Sequence, residues 1–243
     1  MVISRIGAIL QKDALQIVPH VYHLNIRVTN TVLIVEDELT LIDTGLPGSS
    51  DRIADFVHNL GRSVEEISLI IITHNHIDHA GGLAELRKLT KAKVAAHKAD
   101  LDNTEAQMPY PRLIRRLLRV PSLSNLHSSF MLKTEEVDIH LEGDEVLRPL
   151  GGLEVIHTPG HTPGSISLFS LQNRLLIAGD ALTRLGKKPW LPHKSVSSDF
   201  TQAIDSIKKL ANLEFDTLCF GHGRPLTRDV NAKMQQLIER IRV

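Results

Sequence analysis

The alternation of apolar and polar positions predicts that the chain begins with β-structure. Short strand-like segments occupy residues 15–43, where two apolar runs, 32–35 and 39–42, flank a polar turn typical of a β-hairpin. Residues 51–60 then carry apolar side chains at helical spacing, and Gly61 follows as a helix-terminating glycine. The first part of the chain is therefore predicted to be strands followed by a helix.

Strands and helices continue to alternate along the rest of the chain. Residues 68–72 form a continuous apolar run, typical of a strand covered on both faces, and residues 82–89 behind it have helical periodicity. The same criteria predict four further strands and two further helices, at residues 153–157, 165–169, 175–178, 217–220, 199–210 and 230–241. This order predicts an α/β fold.

The region of about residues 100–133 lacks the sheet pattern, and we predict a helical insertion there within a single domain spanning 1–243. Prolines bracket a helix whose arginines share one face: Arg112, Arg115, Arg116 and Arg119. Those arginines form either a solvated face or a contact with an anionic substrate group, a partner or a lipid surface. The opposite, apolar face rests on the domain, a second subunit or a bilayer, so a homodimer through the insertion is one alternative.

Charge and composition narrow the class of partner. The chain has 28 basic and 28 acidic residues, so it lacks the global field that gathers nucleic acid or an anionic membrane, and no nucleic-acid partner is expected. No apolar run approaches the ~20 residues of a transmembrane helix. The single cysteine, Cys219, excludes an internal disulfide framework, which fits a cytoplasmic location.

Four candidate metal ligands lie within six residues after the predicted strand 68–72: His74, His76, Asp78 and His79. Side chains two apart in extended backbone point to the same side, so His74 and His76 can hold one ion. The turn into the next helix directs Asp78 and His79 elsewhere. This arrangement favours two metal ions over one.

Three more candidate ligands follow predicted strands later in the chain, each beside a glycine: His161, Asp180 and His222. Imidazoles and carboxylates together suit zinc, with iron or manganese as alternatives. A structural site made only of cysteines is excluded because the chain has one cysteine. The sequence therefore predicts two divalent metal ions, held by histidine and aspartate.

These motifs together resemble the metallo-β-lactamase superfamily. The resemblance rests on T-H-x-H-x-D-H at residues 73–79, P-G-H-T-P-G at 159–164, G-D at 179–180 and G-H-G at 221–223, which occur in the family's order and span most of the chain. Their spacing is similar to that of the glyoxalase II and lactonase branches. Asp180 in place of a cysteine argues against the lactamases themselves, and His76 in place of a glutamate argues against the flavodiiron oxidoreductases.

The resemblance implies a fold and a ligand set. The fold would be a four-layer αβ/βα sandwich of two mixed sheets flanked by helices, with the site at one edge of the sheets. One metal would be held by His74, His76 and His161, and the second by Asp78, His79 and His222. Asp180 and a hydroxide would bridge the two metals, and Asp43 would hydrogen-bond a ligand histidine from outside.

We predict hydrolysis of a small ester-like substrate, such as a lactone, thioester or other carboxylic ester, by a hydroxide bound to both metals. Asp78 or water would protonate the leaving group, which makes Asp78 and Asp180 the catalytic candidates. Residues 187–192 and the insertion are expected to wall the pocket. A phosphodiesterase or nuclease of the same superfamily and an iron-dependent persulfide dioxygenase remain alternatives.

Two departures from the nearer branches bear on the substrate. Only 21 residues follow His222, whereas glyoxalase II has a further helical domain for glutathione, so glutathione thioesters are disfavoured. Lactonases place a tyrosine shortly after the bridging aspartate, but here Ala181 and Leu182 follow Asp180. Tyr110 in the insertion is an alternative source of that hydroxyl.

Overall fold

The computed structural model describes residues 14–101, 116, 120, 122 and 130–241. Within these residues the strands are β1 Ala14–Val18, β2 Val21–Ile26, β3 Thr29–Val35, β4 Leu39–Ile42, β5 Ile67–Ile72, β6 Lys93–His97, β7 Ile139–Leu141, β8 Val146–Leu147, β9 Leu153–His157, β10 Ile166–Ser170, β11 Leu175–Ile177, β12 Thr183–Leu185, β13 Lys188–Trp190 and β14 Thr217–Cys219. The α-helices are α1 Ser50–Asn59, α2 Ile77–Ala80, α3 Leu83–Leu89, α4 Phe200–Leu210 and α5 Val230–Ile241.

The first sheet contains β1 to β7 in chain order and is mixed. Strands β1 to β4 form an antiparallel meander, and the predicted hairpin is present as β3 and β4, with Val35 paired to Leu39. Strands β4, β5, β6 and β7 then run parallel. Parallel strands need crossovers, and α1 and α3 lie in two of them.

The second sheet is also mixed and has the order β14-β11-β10-β9-β8. Strands β8, β9, β10 and β11 pair with one another antiparallel, and β14 pairs parallel to β11 at the edge of the sheet. A separate hairpin of β12 and β13 lies outside both sheets. Residues 187–192, which were expected to wall the pocket, include strand β13, and Trp190 in it packs against α5 with its ring 5.6 Å from the Arg240 guanidinium carbon.

Three apolar clusters separate four layers. One contains α1 and α3 side chains against the first sheet, and a second contains side chains of both sheets, such as Ile71 and Leu168. The third packs α4 and α5 against the outer face of the second sheet. The predicted αβ/βα sandwich is therefore confirmed.

Strand β5 shows why its sequence is apolar at nearly every position. Ile70 and Ile72 face the helices, whereas Ile71 faces the second sheet, and all three are at most 1% exposed. Strand β6 was harder to predict because Ala95 and Ala96 have weak strand preference. Its place follows from parallel pairing with β5 and not from its own composition.

The predicted insertion at about 100–133 lies almost wholly outside the described residues, and so does Tyr110. The prediction of a single domain with a helical insertion stays a prediction. In the described part of the chain, every helix is too short or too polar to cross a bilayer.

Replacing Ile71 tests the packing between the two sheets. We expect Ile71→Ala to lower the free energy of unfolding by roughly 2 to 5 kcal/mol, because it leaves a cavity where neither sheet can collapse. Leu171→Ala, at a side chain 63% exposed, should change it by less than about 0.5 kcal/mol. Urea denaturation of both variants measures the difference, and equal small losses would contradict the central position of Ile71.

Candidate metal centre

The predicted ligands converge where strands of both sheets end. His74 lies just after β5, His161 after β9, Asp180 after β11 and His222 after β14. The two sheets meet at this edge through a hydrogen bond from the Ile166 amide to the Thr73 carbonyl. The fold therefore brings together seven side chains that are spread over about 150 residues of sequence.

A first set of ligand atoms comes from His74, His76 and His161. The Nδ1 atom of His76 lies 3.1 Å from His74 Nε2 and 3.0 Å from His161 Nε2. All three side chains are buried. Burial lowers the pKa of both His74 and His161, which favours the neutral imidazole that a metal ion requires.

A second set comes from Asp78, His79 and His222, whose ligand atoms lie within 4.8 Å of one another. His79 is fully buried, whereas His222 and Asp78 are partly exposed. His222 Nε2 lies 3.4 Å from Asp78 Oδ2, and His79 Nε2 lies 3.9 Å from the same oxygen. This set forms the more open side of the centre.

The Asp180 carboxylate lies between the two sets. Its Oδ2 is 3.6 Å from His161 Nε2 and 3.2 Å from His222 Nε2, and its Oδ1 is 3.6 Å from His79 Nε2. Although burial opposes ionisation, the nearby His79 and His222 hold the pKa of Asp180 well below its usual range. One ionised carboxylate thus faces ligand atoms of both sets.

Two histidines are oriented by contacts outside the centre. His79 Nδ1 hydrogen-bonds to Asp43 Oδ2 at 2.8 Å, and His222 Nδ1 hydrogen-bonds to the Val28 carbonyl at 2.8 Å. Each contact leaves the Nε2 atom turned toward the other ligands. The hydrogen bond expected between Asp43 and one of these histidines is present.

The carboxylates that surround these two imidazoles favour their charged form in the ion-free chain. Burial opposes protonation of His79, but Asp43 and Asp180 raise its pKa to about 9. Burial likewise opposes protonation of His222, and Asp180 raises its pKa to about 9. The negative charge of the nearby carboxylates therefore favours a metal cation in place of the protons on the His79 and His222 imidazoles.

The donor set fits divalent metal ions. His79 Nε2 and Asp180 Oδ1 are buried, have no hydrogen-bond partner in the described part of the chain, and face each other at 3.6 Å. Leaving buried polar atoms without a partner costs roughly 1 to 3 kcal/mol each. An ion coordinated by both atoms removes that cost, and nitrogen and oxygen donors suit zinc, iron and manganese.

Close packing of glycine against the ligands makes this edge compact. Gly221 precedes His222, and a Cβ atom at Gly221 would overlap Asp180 Oδ1 and lie 2.7 Å from His79 Cε1. Gly160, before His161, has φ +126° and packs against the Ala203 backbone of α4. Space thus requires glycine at positions 160 and 221, and Gly160 also has a backbone conformation that favours glycine.

Several supporting residues were missed from the sequence. Asn30 donates from its side-chain amide to the carbonyls of Phe220 and Gly223, and so holds the turn that carries His222. Thr29 donates to Asp78 Oδ2 at 3.4 Å. Both are polar residues at the start of β3, a position that gives no signal until β3 is known to begin beside the centre.

Two further histidines of the second half of the chain are not among the convergent ligands. His157 is half-buried, stacks on His97 with ring centroids 4.1 Å apart, and hydrogen-bonds to the Pro163 carbonyl. His193 is exposed and accepts from the Ser195 amide at the start of a 3₁₀ turn. Cys219 is fully buried in the core.

A cavity of about 900 Å³ lies away from this centre. Its walls include the turn between β3 and β4, at the opposite end of those strands from Thr29, together with Arg62 and Arg148. None of the convergent ligands lines it. The clustered histidines and aspartates therefore lie at the strand-end edge and not in this cavity.

Comparison with known proteins agrees with this geometry. A sequence model described as the metallo-beta-lactamase superfamily matches residues 24–222, which is most of the chain and includes every predicted ligand. The chain belongs to the metallo-β-lactamase superfamily. It is a metallo-hydrolase of that superfamily, with a histidine and aspartate cluster suited to divalent metal ions.

Among curated proteins, the chain is 28% identical over 240 residues to the probable metallo-hydrolase YflN of Bacillus subtilis (strain 168), covering 91% of this chain and 90% of that protein. It is 32% identical over 218 residues to the uncharacterized protein YobT of the same organism, covering 84% and 86%. It is also 30% identical over 196 residues to a hydroxyacylglutathione hydrolase of Bartonella tribocorum, covering 76% of this chain and 64% of that enzyme.

Solved structures show the same fold. A subclass B3 metallo-β-lactamase, BJP-1 of Bradyrhizobium japonicum, matches with a TM-score of 0.66 and 21% identity, covering 95% of this chain and 92% of that one. A metallo-β-lactamase family protein of Thermus thermophilus matches with a TM-score of 0.65 and 22% identity, covering 93% and 81%. At these identities the likeness concerns the fold alone.

Replacing Gly221 tests the packing of the centre. We expect Gly221→Ala to weaken binding of a second zinc equivalent by more than about 10-fold, because the added methyl displaces Asp180 or His79. Gly61→Ala is the control for a change of glycine to alanine: nothing lies within 4 Å of its added methyl, although Gly61 has a positive φ and Gly221 does not. Zinc titration against a chelator measures both variants, and unchanged affinity in Gly221→Ala would refute the packing argument.

Proposed function

We propose that this metallo-hydrolase uses two divalent metal ions, zinc with iron or manganese as alternatives, to hydrolyse a small ester-like substrate. His74, His76 and His161 would hold one ion, and Asp78, His79 and His222 the other. The observation that carries the proposal is the position of Asp180, which faces His161 on one side and His79 and His222 on the other at 3.2 to 3.6 Å.

The proposed hydrolysis needs a nucleophile, which the metal ions would supply, and residues that position the ligands and protonate the leaving group. Divalent ions bound by these residues would lower the pKa of a coordinated water molecule to about 7, which would provide a hydroxide nucleophile at neutral pH. Asp180 would hold the two ligand sets at a fixed separation, and Asp43 keeps the His79 ring in its orientation. Asp78 is 26% exposed at the open side, where its carboxylate could take the proton of the attacking hydroxide and pass it to a departing alkoxide or thiolate.

A lactone, thioester or other carboxylic ester is the substrate class we propose. The similarity to a hydroxyacylglutathione hydrolase supports ester-like chemistry, although this chain covers 64% of that enzyme. Among described side chains beside the bridging aspartate, Ala181 and Leu182 are buried core residues and offer no hydroxyl to the carbonyl. The ions and Asp78 would therefore carry the polar contacts to the reacting group.

The second set of ligand atoms distinguishes the alternatives. A one-iron dioxygenase would leave Asp78 and His222 without a metal, whereas these residues lie with His79 within 4.8 Å of one another. This proximity supports a two-metal site. A phosphodiesterase would use the same two-metal site, and only substrate selection separates it from an esterase.

Replacing one histidine of the first set tests the proposal. We expect His76→Ala to lower kcat/KM for the best ester substrate by more than about 100-fold. This exceeds the usual loss of activity when a residue that only hydrogen-bonds to a metal ligand is replaced. His140→Ala, at an exposed histidine on β7, should retain full activity. Metal analysis and assays with lactones, thioesters and bis(p-nitrophenyl) phosphate identify the reaction.

Two outcomes would contradict the proposal. A correctly folded His76→Ala variant with full hydrolytic activity would show that the first set has no catalytic role. One iron per chain, with oxygen uptake on glutathione persulfide and no ester hydrolysis, would identify the dioxygenase instead. Preference for the phosphodiester over every carboxylic ester would replace the substrate class but keep the two-metal site.

A further inference from the structure

A buried carboxylate that is not one of the candidate ligands is hydrogen-bonded to the loops that carry His74, His76 and His161. Asp100 follows β6 at the same edge of the first sheet as the ligands and is 2% exposed. Its Oδ2 accepts hydrogen bonds from the Asn75 amide at 2.9 Å and from the Thr162 hydroxyl at 2.8 Å. Its Oδ1 accepts from the Gly164 amide at 2.5 Å.

The partners of Asp100 belong to two ligand loops. Asn75 lies between His74 and His76, and Thr162 directly follows His161. The Asp100 carboxylate thus joins the loop of His74 and His76 to the loop of His161. Thr162, in the second of these loops, lies 62 positions after Asp100 in the sequence. The sequence neighbours of Asp100 gave no hint of this, because Asp100 stands beside neither histidine nor glycine.

The second loop is shaped to receive this carboxylate. A Cβ atom at Gly164 would lie 2.5 Å from the Asp100 amide nitrogen and 2.7 Å from Asp100 Oδ1, so only glycine fits. The Thr162 hydroxyl also lies 2.7 Å from Ser165 Oγ, which fixes its orientation. These contacts account for the threonine and the last glycine of the P-G-H-T-P-G motif, for which a metal site alone gives no reason.

The loop of His74 and His76 is held to Asp100 through both the backbone amide and the side chain of Asn75. The Asn75 side chain donates to the carbonyl of Asp100 at 3.2 Å and to that of Leu132 at 2.9 Å, and it accepts from the Leu132 amide at 2.8 Å. Asn75 therefore cannot shift without breaking several buried hydrogen bonds. His74 and His76, its immediate neighbours, share that constraint.

The second ligand set has a different outer carboxylate. Asp43 accepts from His79 Nδ1 at 2.8 Å and from the Thr73 amide at 2.7 Å and hydroxyl at 2.8 Å, and that hydroxyl lies 3.1 Å from His74 Nδ1. The hydrogen bonds of Asp100 instead reach the loops of His74, His76 and His161. Burying a carboxylate costs free energy unless it is fully hydrogen-bonded, and apolar residues would stabilise the fold without that cost. Because the hydrogen bonds of the buried Asp100 carboxylate go to the two loops that carry His74, His76 and His161, they indicate a role in positioning.

We propose that Asp100 is a positioning residue that sets the metal affinity of the His74, His76 and His161 set by holding their two loops in register. Asp43 bonds His79 of the other set directly and reaches His74 through the Thr73 hydroxyl. The inference rests on the proposed two-metal function, because it assigns Asp100 to one of the two positions. Asp100 itself does not contact the metal or the substrate.

The test is a cobalt(II) titration of the metal-free protein against a competing chelator, followed by the visible spectrum at each equivalent. Asp100→Asn keeps the shape but presents an NH₂ group to at least one of the three donors. We expect a loss of about 10- to 100-fold in affinity at one binding step and an altered cobalt spectrum at that step. Asp43→Asn, which acts on His79 directly and on His74 through Thr73, should weaken the other step more than this one.

Glu145→Gln is the matched control for a carboxylate that holds a loop. Glu145 accepts from the amides of Glu142, Gly143 and Asp144 in a tight turn and contacts neither ligand loop. We expect it to leave both cobalt affinities and both spectra unchanged. A general loss of stability in Asp100→Asn would lower the melting temperature of the metal-free protein without changing the spectrum of one step.

Thr162→Val is the second variant, and it decides the question if Asp100→Asn does not fold. It removes one donor to Asp100 and should weaken the same binding step, by less than Asp100→Asn. Wild-type affinities in either folded variant, or equal weakening of both steps, would overturn the positioning role while the two-metal function stands. Failure of the wild-type protein to bind two cobalt ions would instead refute the proposed function.

Discussion

The burial of ionisable side chains at one edge of two sheets governs the structure around the centre. Four of the seven clustered side chains are histidines at most 7% exposed, and a fully buried imidazole or carboxylate is stable only with a partner for each polar atom. The protein meets that demand in two ways. Outer groups such as Asp43 engage one side of a ligand, and the inner side is left for an ion.

The sandwich makes this arrangement possible because it covers the edge from both directions. The first sheet delivers His74 to His79 on one loop, and the second sheet delivers His161, Asp180 and His222 on three others. Hydrogen bonds between the halves, such as Asn30 to the Phe220 carbonyl, bind the loops to each other. Positions of the ligands therefore depend on the relation between the sheets and not on either sheet alone.

Much of this could be predicted from the sequence, and the reasons are physical. The apolar run of β5 and the periodicity of α4 and α5 are strong local signals, and glycine beside histidine at strand ends indicated side chains that the fold brings together. Strand β6, with its two alanines, and the β12–β13 hairpin have weak local signals and are fixed by tertiary pairing. Asp100 and Asn30 were missed because their importance lies in partners far along the chain.

The contact between β3 and the turn that carries His222 has a consequence for the order of assembly. Asn30 bonds to residues 190 and 193 positions later, so the loop carrying the last ligand cannot be fixed until nearly all of the described chain has been made. Contacts of such long sequence separation are slow to form because the intervening chain must first be ordered. An emerging chain displays four of its ligands, on residues 74–79, long before the others exist. A cation held between the two ligand sets thus marks a chain in which the turn carrying His222 has already been made and has packed against β3.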